Sequence, residues 1–114
     1  MKILPVEKQI EVLSEAINWI EKERTSKVCI TVSILLEHRG YQKLIHHNDI
    51  DEFIPSVTRA NAYILAEKYK FEYPGLEAFW WPSGDKINRI KFLNALIEEL
   101  TKKSIIFNNL TGAS

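Results

Sequence analysis

Val28-Cys29-Ile30-Thr31-Val32-Ser33-Ile34-Leu35-Leu36 decides the fold class, because this run has almost no polar punctuation and reads in two ways. Its β-branched members favour a strand, since a branched Cβ restricts χ1 and packs well on a pleated surface. Its continuation into Glu37-His38-Arg39 and then Gly40 favours a helix, with positive charge in the last turn and a glycine as the stop signal. Periodicity alone does not separate the two for a short apolar run. The ending favours a central buried helix over Lys27 to Arg39, with a strand as the alternative. Thr25 and Ser26 are its candidate caps.

Toward the N-terminus, Val6, Ile10, Leu13, Ile17 and Ile20 form a stripe between Pro5 and Arg24, with Glu7, Lys8, Glu11, Glu21 and Lys22 opposite. The spacing predicts a helix of roughly 27–30 Å with Pro5 in its first turn. Trp19 is expected at the edge of its contact, beside Ala16. Toward the C-terminus, Tyr41 to Pro55 reads as connecting structure, with short turns near Tyr41, Leu44 and Ile45 and from Asn48-Asp49 through Phe53. Pro55 and Ser56 then open a helix to about Tyr69, with Val57, Ala60, Ile64 and Leu65 inward and Arg59 near its start.

The stretch Phe71 to Leu100, FEYPGLEAFWWPSGDKINRIKFLNALIEEL, joins an aromatic segment to an amphipathic helix. Pro74-Gly75, Pro82 and Gly84 prevent a regular element from passing through the first part. Ser83 or Asp85 can cap the helix that follows, in which Ile90, Leu93, Ile97 and Leu100 share one stripe. Arg89 has the direction of Leu93 and Leu96, so a guanidinium is expected at the edge of a buried face. Either its stem packs on Trp80 or Trp81 while its head reaches water or a carboxylate, or it forms one wall of a site for an anionic or planar ligand. Ser104 to Phe107 is apolar enough to pack, and residues 108–114 read as a flexible tail. The expectation is therefore an all-α protein, a single compact domain of four or five helices over residues 1–107.

With 114 residues, 46% of them hydrophobic, the chain has room for one core and needs no metal or disulfide staple. Fifteen basic residues balance fifteen acidic ones, so no overall field draws it to duplex nucleic acid or anionic lipid. Cys29 is the only cysteine, which excludes an internal disulfide, and its apolar setting points to a buried thiol in a reducing compartment. The start MKILPVEKQIEV lacks the apolar core of a secretory signal, and no stretch approaches the roughly 20 apolar residues of a membrane span. A cytoplasmic protein is expected.

Chemistry-bearing patterns are weak. His38, His46 and His47 suggest a metal, but zinc needs three or four convergent ligands and adjacent histidines diverge on any regular element. Exposed histidines and no metal are the expectation. Ser83-Gly84-Asp85-Lys86 fits S-x-x-K without the further motifs such a site requires, and neither a P-loop nor a dinucleotide fingerprint is present. Asp85, His38 and Cys29 are the residues to inspect for catalysis; no enzyme and no cofactor are expected. The aromatic cluster is the stronger signal. Burying one Trp is worth roughly 4–6 kcal/mol as an upper bound, so Trp80 and Trp81 are not both expected in water. Adjacent residues of an extended stretch face opposite sides, which leaves one Trp to anchor the core and its neighbour to stack or fill a partner's pocket. The candidate binding set is Trp80, Trp81, Arg89, Tyr73 and Arg59.

The apolar segment around Cys29, the helical middle and FWWPSGDKINRIKFLNALIEEL together resemble small proteins encoded by bacteriophages and other mobile elements. The matching positions are Trp80, Trp81, Pro82, Asp85, Arg89, Phe92, Leu93 and Ile97, and the resemblance is specific over about a quarter of the chain. The resemblance implies a phage-type origin and an α-helical fold. Accessory proteins of this type often counter host immunity by binding a defence protein or sequestering a nucleotide signal, which makes an anti-defence inhibitor the expected function. The alternative is a nucleic-acid-binding module using Arg59, Lys68, Lys70 and the aromatic segment. No membrane partner is expected, and homo-oligomerisation stays open.

Overall fold

Gly40 has φ of 76°, the left-handed conformation in which helices commonly end. The computed structural model describes residues 3–25, 27–41, 47–72 and 86–110. Among these the chain forms α1 (Val6–Glu21), α2 (Val28–His38), a 3-10 turn (His47–Glu52), α3 (Arg59–Tyr69) and α4 (Lys86–Leu110), with no strand. The expected all-α, single-globule architecture is what is found.

The helix wins over Val28–Leu36 because burial outweighs local propensity. Val28, Cys29, Thr31, Val32, Leu35 and Leu36 are all inaccessible to solvent. A helix satisfies its own backbone polar groups wherever it is buried. Its two hydroxyl residues are satisfied locally as well: Thr31 Oγ1 donates to the Lys27 carbonyl at 2.5 Å and Ser33 Oγ to that of Ile30 at 2.9 Å. Thr31 thereby has its own hydrogen committed, so Thr25 Oγ1 is the donor in their 2.6 Å contact. Thr25 therefore holds a side chain and does not cap; the N-cap position is Lys27, without a side-chain bond. Ser26 lies outside the described residues.

Two helix ends share one paired hydrogen-bond pattern, and a third shares its longer bond. After α2 the Tyr41 amide bonds to the Leu36 carbonyl and the Gly40 amide to that of Glu37, the paired closure of a Schellman motif. After α1, Arg24 bonds back to Trp19 and Glu23 to Ile20, with Glu23 at φ 57°. After α3, Phe71 bonds back to Ala66, with Lys70 at φ 58°. Neither Glu23 nor Lys70 is a glycine, so the sequence does not announce these ends.

Helix α1 begins at Val6, with Pro5 at the cap position and not in the first turn. Its 16 residues make it about 24 Å long, shorter than expected. It packs on both α4 and α2. Two neighbours widen and turn the buried arc, which holds Gln9, Val12, Leu13, Ala16, Trp19 and Ile20, while Val6, Ile10 and Ile17 are only partly covered. Trp19 is thus on the buried face. Gln9 is satisfied there by donating Nε2 to the Leu4 carbonyl at 2.7 Å, and Leu4 in turn bonds to the Phe53 carbonyl at 3.0 Å. This ties the N-terminal segment to the 3-10 turn, the form taken by the turn expected near Asn48-Asp49, and to buried Ile50, Phe53 and Ile54. Leu44 and Ile45 lie outside the described residues.

Helix α3 starts at Arg59 and not at Pro55-Ser56, because Thr58 Oγ1 accepts from the Asn61 amide at 3.1 Å and caps it there. The later start moves Val57 out of the helix, although it stays buried. The inward residues are Ala62, Leu65 and Ala66; Ala60 is exposed and Ile64 is 62% exposed, contrary to the expected stripe. Helix α4, described from Lys86, buries Asn88, Arg89, Phe92, Leu93, Ala95, Leu96 and Leu100. Its backbone is helical to Leu110.

Candidate functional site

The first two turns of α4 hold the only buried pair of consecutive polar residues among those described, Asn88 at 6% and Arg89 at 2% exposure. Residues 71 and 72 lie against them. The Glu72 amide donates to Asn88 Oδ1 at 3.1 Å, and the Phe71 ring tilts against Phe92 at 6.4 Å between centroids. Asn88 thus satisfies backbone that no helix completes. The expected direction of Arg89 is found, alongside Leu93 and Leu96, but a head reaching water is not. Arg89 is engaged in polar or electrostatic contact, as a buried guanidinium must be to offset several kcal/mol of desolvation.

Of the five candidate binding residues, Tyr73, Trp80 and Trp81 lie outside the described residues, as do Ser83 and Asp85. Arg59 is exposed at the first residue of α3, and Arg89 is enclosed near the start of α4. One faces solvent and the other the core, so these two do not present a common charged surface.

A polar cluster that sequence reasoning missed joins the other end of α3 to the middle of α4. Tyr69 donates its hydroxyl to Glu99 Oε2 at 2.5 Å, Lys68 bonds to both Glu99 oxygens at 3.1–3.2 Å, and Lys102 Nζ donates to the Tyr69 hydroxyl at 3.3 Å. These residues are about 30 apart in sequence and no local pattern pairs them. The Tyr69 hydrogen bond, then Lys68, lower the Glu99 pKa below its ordinary 4.5, and the same Glu99 bond raises that of Tyr69. A carboxylate with a lowered folded-state pKa stabilises above its unfolded value and loses that contribution as pH falls. Tyr69→Phe is accordingly expected to lower unfolding free energy by about 1 kcal/mol near neutral pH. The difference should shrink as pH falls from about 4.5 through the folded pKa of Glu99. Urea titrations of both proteins at pH 7 and pH 3 check this.

Another cluster ties helix ends together. The Arg24 guanidinium sits 4.2 Å over the Trp19 ring, and His38 meets the same ring edge-on at 5.8 Å. Lys86 pairs with Glu23 at 3.3 Å, and Arg39 pairs with Glu15. His38 is exposed as expected, while the side chains of His46 and His47 lie outside the description. Among the described residues no three His, Cys, Asp or Glu side chains converge as a metal site.

Cys29 and His38 cannot form a nucleophile pair, because nine residues along one helix separate them by about 14 Å. The thiol is inaccessible, and burial pushes its pKa well above the ordinary 9.0. Iodoacetamide at pH 8 is therefore expected to label native Cys29 at least 100-fold more slowly than the urea-unfolded chain, as mass spectrometry would show. Comparable rates would mean that α2 opens readily.

No protein family, curated protein or solved structure matches the chain. Among the described residues, no helix is long and apolar enough to cross a membrane.

Proposed function

We propose that this chain is a non-enzymatic binding protein, a phage-type accessory protein that inhibits a host defence system. It does so by engaging a defence protein or by sequestering a small anionic, nucleotide-like ligand. The feature that supports this reading is the aromatic stretch of the sequence from Phe71 to Trp81, which runs into the start of α4. Aromatic residues supply stacking faces for a planar ligand and anchors for a partner's pocket. The nucleic-acid alternative is less favoured, since Lys68 is already bonded to Glu99 and Lys102 to Tyr69. Duplex or single-strand binding needs cations available to phosphates.

The test is calorimetric titration of the purified full chain with mononucleotides and cyclic dinucleotides, alongside a purified panel of defence proteins. Wild-type binding that is lost in Trp80→Ala or Trp81→Ala, with circular dichroism unchanged, is the expected result. Binding to none of these, together with strongly salt-dependent binding of a single-stranded oligonucleotide, would replace this reading with the nucleic-acid one.

A further inference from the structure

The side of α3 turned away from Ala62, Leu65 and Ala66 carries Ala60, Tyr63, Ile64 and Glu67, at helical spacings of three and four, with Arg59 on its flank. Tyr63 is 51% and Ile64 62% exposed, an adjacent pair of large apolar side chains in water. Along the helix this face runs from basic Arg59, through the apolar pair, to acidic Glu67, and all of these residues are exposed. Residue 63 lies midway between the two charges.

Such a face is complementary to itself only when reversed. A two-fold axis beside Tyr63 and Ile64 sets α3 antiparallel to its copy, covers each apolar pair with the other, and brings Arg59 of each chain to Glu67 of the other. A parallel pairing would place like charges together. Arg59 is also engaged within its own chain, and a guanidinium has five N–H donors to share. We infer that this face of α3 docks against the same face of a second copy, forming an antiparallel two-fold homodimer. The inference is independent of the binding activity proposed above. An 11-residue helix is about 16 Å long, so the contact covers less than the about 1,000 Å² of stable interfaces and the dimer is weak.

Sedimentation equilibrium of the full chain from about 10 µM to about 1 mM tests it, over a range suited to small, transient interfaces. Wild type is expected to dimerise toward the upper end, and Ile64→Glu to stay monomeric while keeping its helical circular dichroism. Arg59→Glu and Glu67→Arg should each weaken the dimer about fivefold or more, because the symmetry repeats every change, and the double reversal should return to within about twofold of wild type. A wild-type monomer at the top concentration overturns the inference. So does a dimer indifferent to Ile64→Glu, or a double reversal no tighter than either single change.

Discussion

Arg89→Ala is expected to lower the free energy of unfolding by about 3–5 kcal/mol, the range for removing one member of a buried charged contact. Arg89 is 2% exposed between Asn88 and partly buried Ile90, with Phe92, Leu93 and Leu96 following on the same helix. Truncation removes the stem that packs there and leaves the groups it engages buried without it. For a domain of this size the midpoint of thermal unfolding should fall by more than about 10 °C. Arg89→Lys should lose less, because it keeps the charge and most of the stem but not the fork of donors. Paired urea and thermal melts measure both. A change in Arg89→Ala within about 0.5 kcal/mol of wild type would mean that the guanidinium is solvated in solution. Lost ligand binding in that variant would then report a site; with the expected destabilisation, the comparison must be made on the folded fraction of Arg89→Lys.

The direction of Arg89 was legible because helical periodicity needs only the register of one unbroken helix, and α4 is unbroken from Lys86 onward. Its depth was not, since burial depends on what lies opposite, and even its neighbour Asn88 takes its partner, the Glu72 amide, from sixteen residues earlier. The class of α2 was readable from Gly40, whereas the end of α1 was placed too late and the C′ residues of α1 and α3 were not marked, because Glu23 and Lys70 adopt the left-handed conformation without being glycine. The face of α3 was misread for a related reason. Thr58 caps the helix three residues after Pro55, which detached Val57 from the stripe and left Ile64 outward, where hydrophobicity alone predicts burial. For the candidate site, Tyr73, Trp80 and Trp81 lie outside the described residues, so their grouping with Arg89 rests on sequence.

Leu35→Ala should cost about 2–5 kcal/mol, and the pattern around it tests the helix on which the fold depends. Leu35 is fully buried on α2, which packs against both α1 and the 3-10 turn, so the cavity left by its isobutyl group is walled by separate elements that cannot all close on it. Its carbonyl also receives the Arg39 amide at 3.2 Å and Arg39 Nη1 at 3.4 Å, which fixes the backbone at that turn. Alanine at each apolar position of the segment then gives a period. In a helix, Val28, Val32, Leu35 and Leu36 should be the sensitive positions, whereas Ile30 and Ile34, only partly buried, should lose less per methylene removed. A strand would instead alternate, making Ile30, Val32, Ile34 and Leu36 respond together and Leu35 respond with the opposite set. Equilibrium unfolding of these variants distinguishes a period near 3.6 from a period of 2. Losses at Ile30 and Ile34 equal to that at Leu36, with Leu35→Ala near neutral, would refute the α2 helix and the packing of α1 upon it.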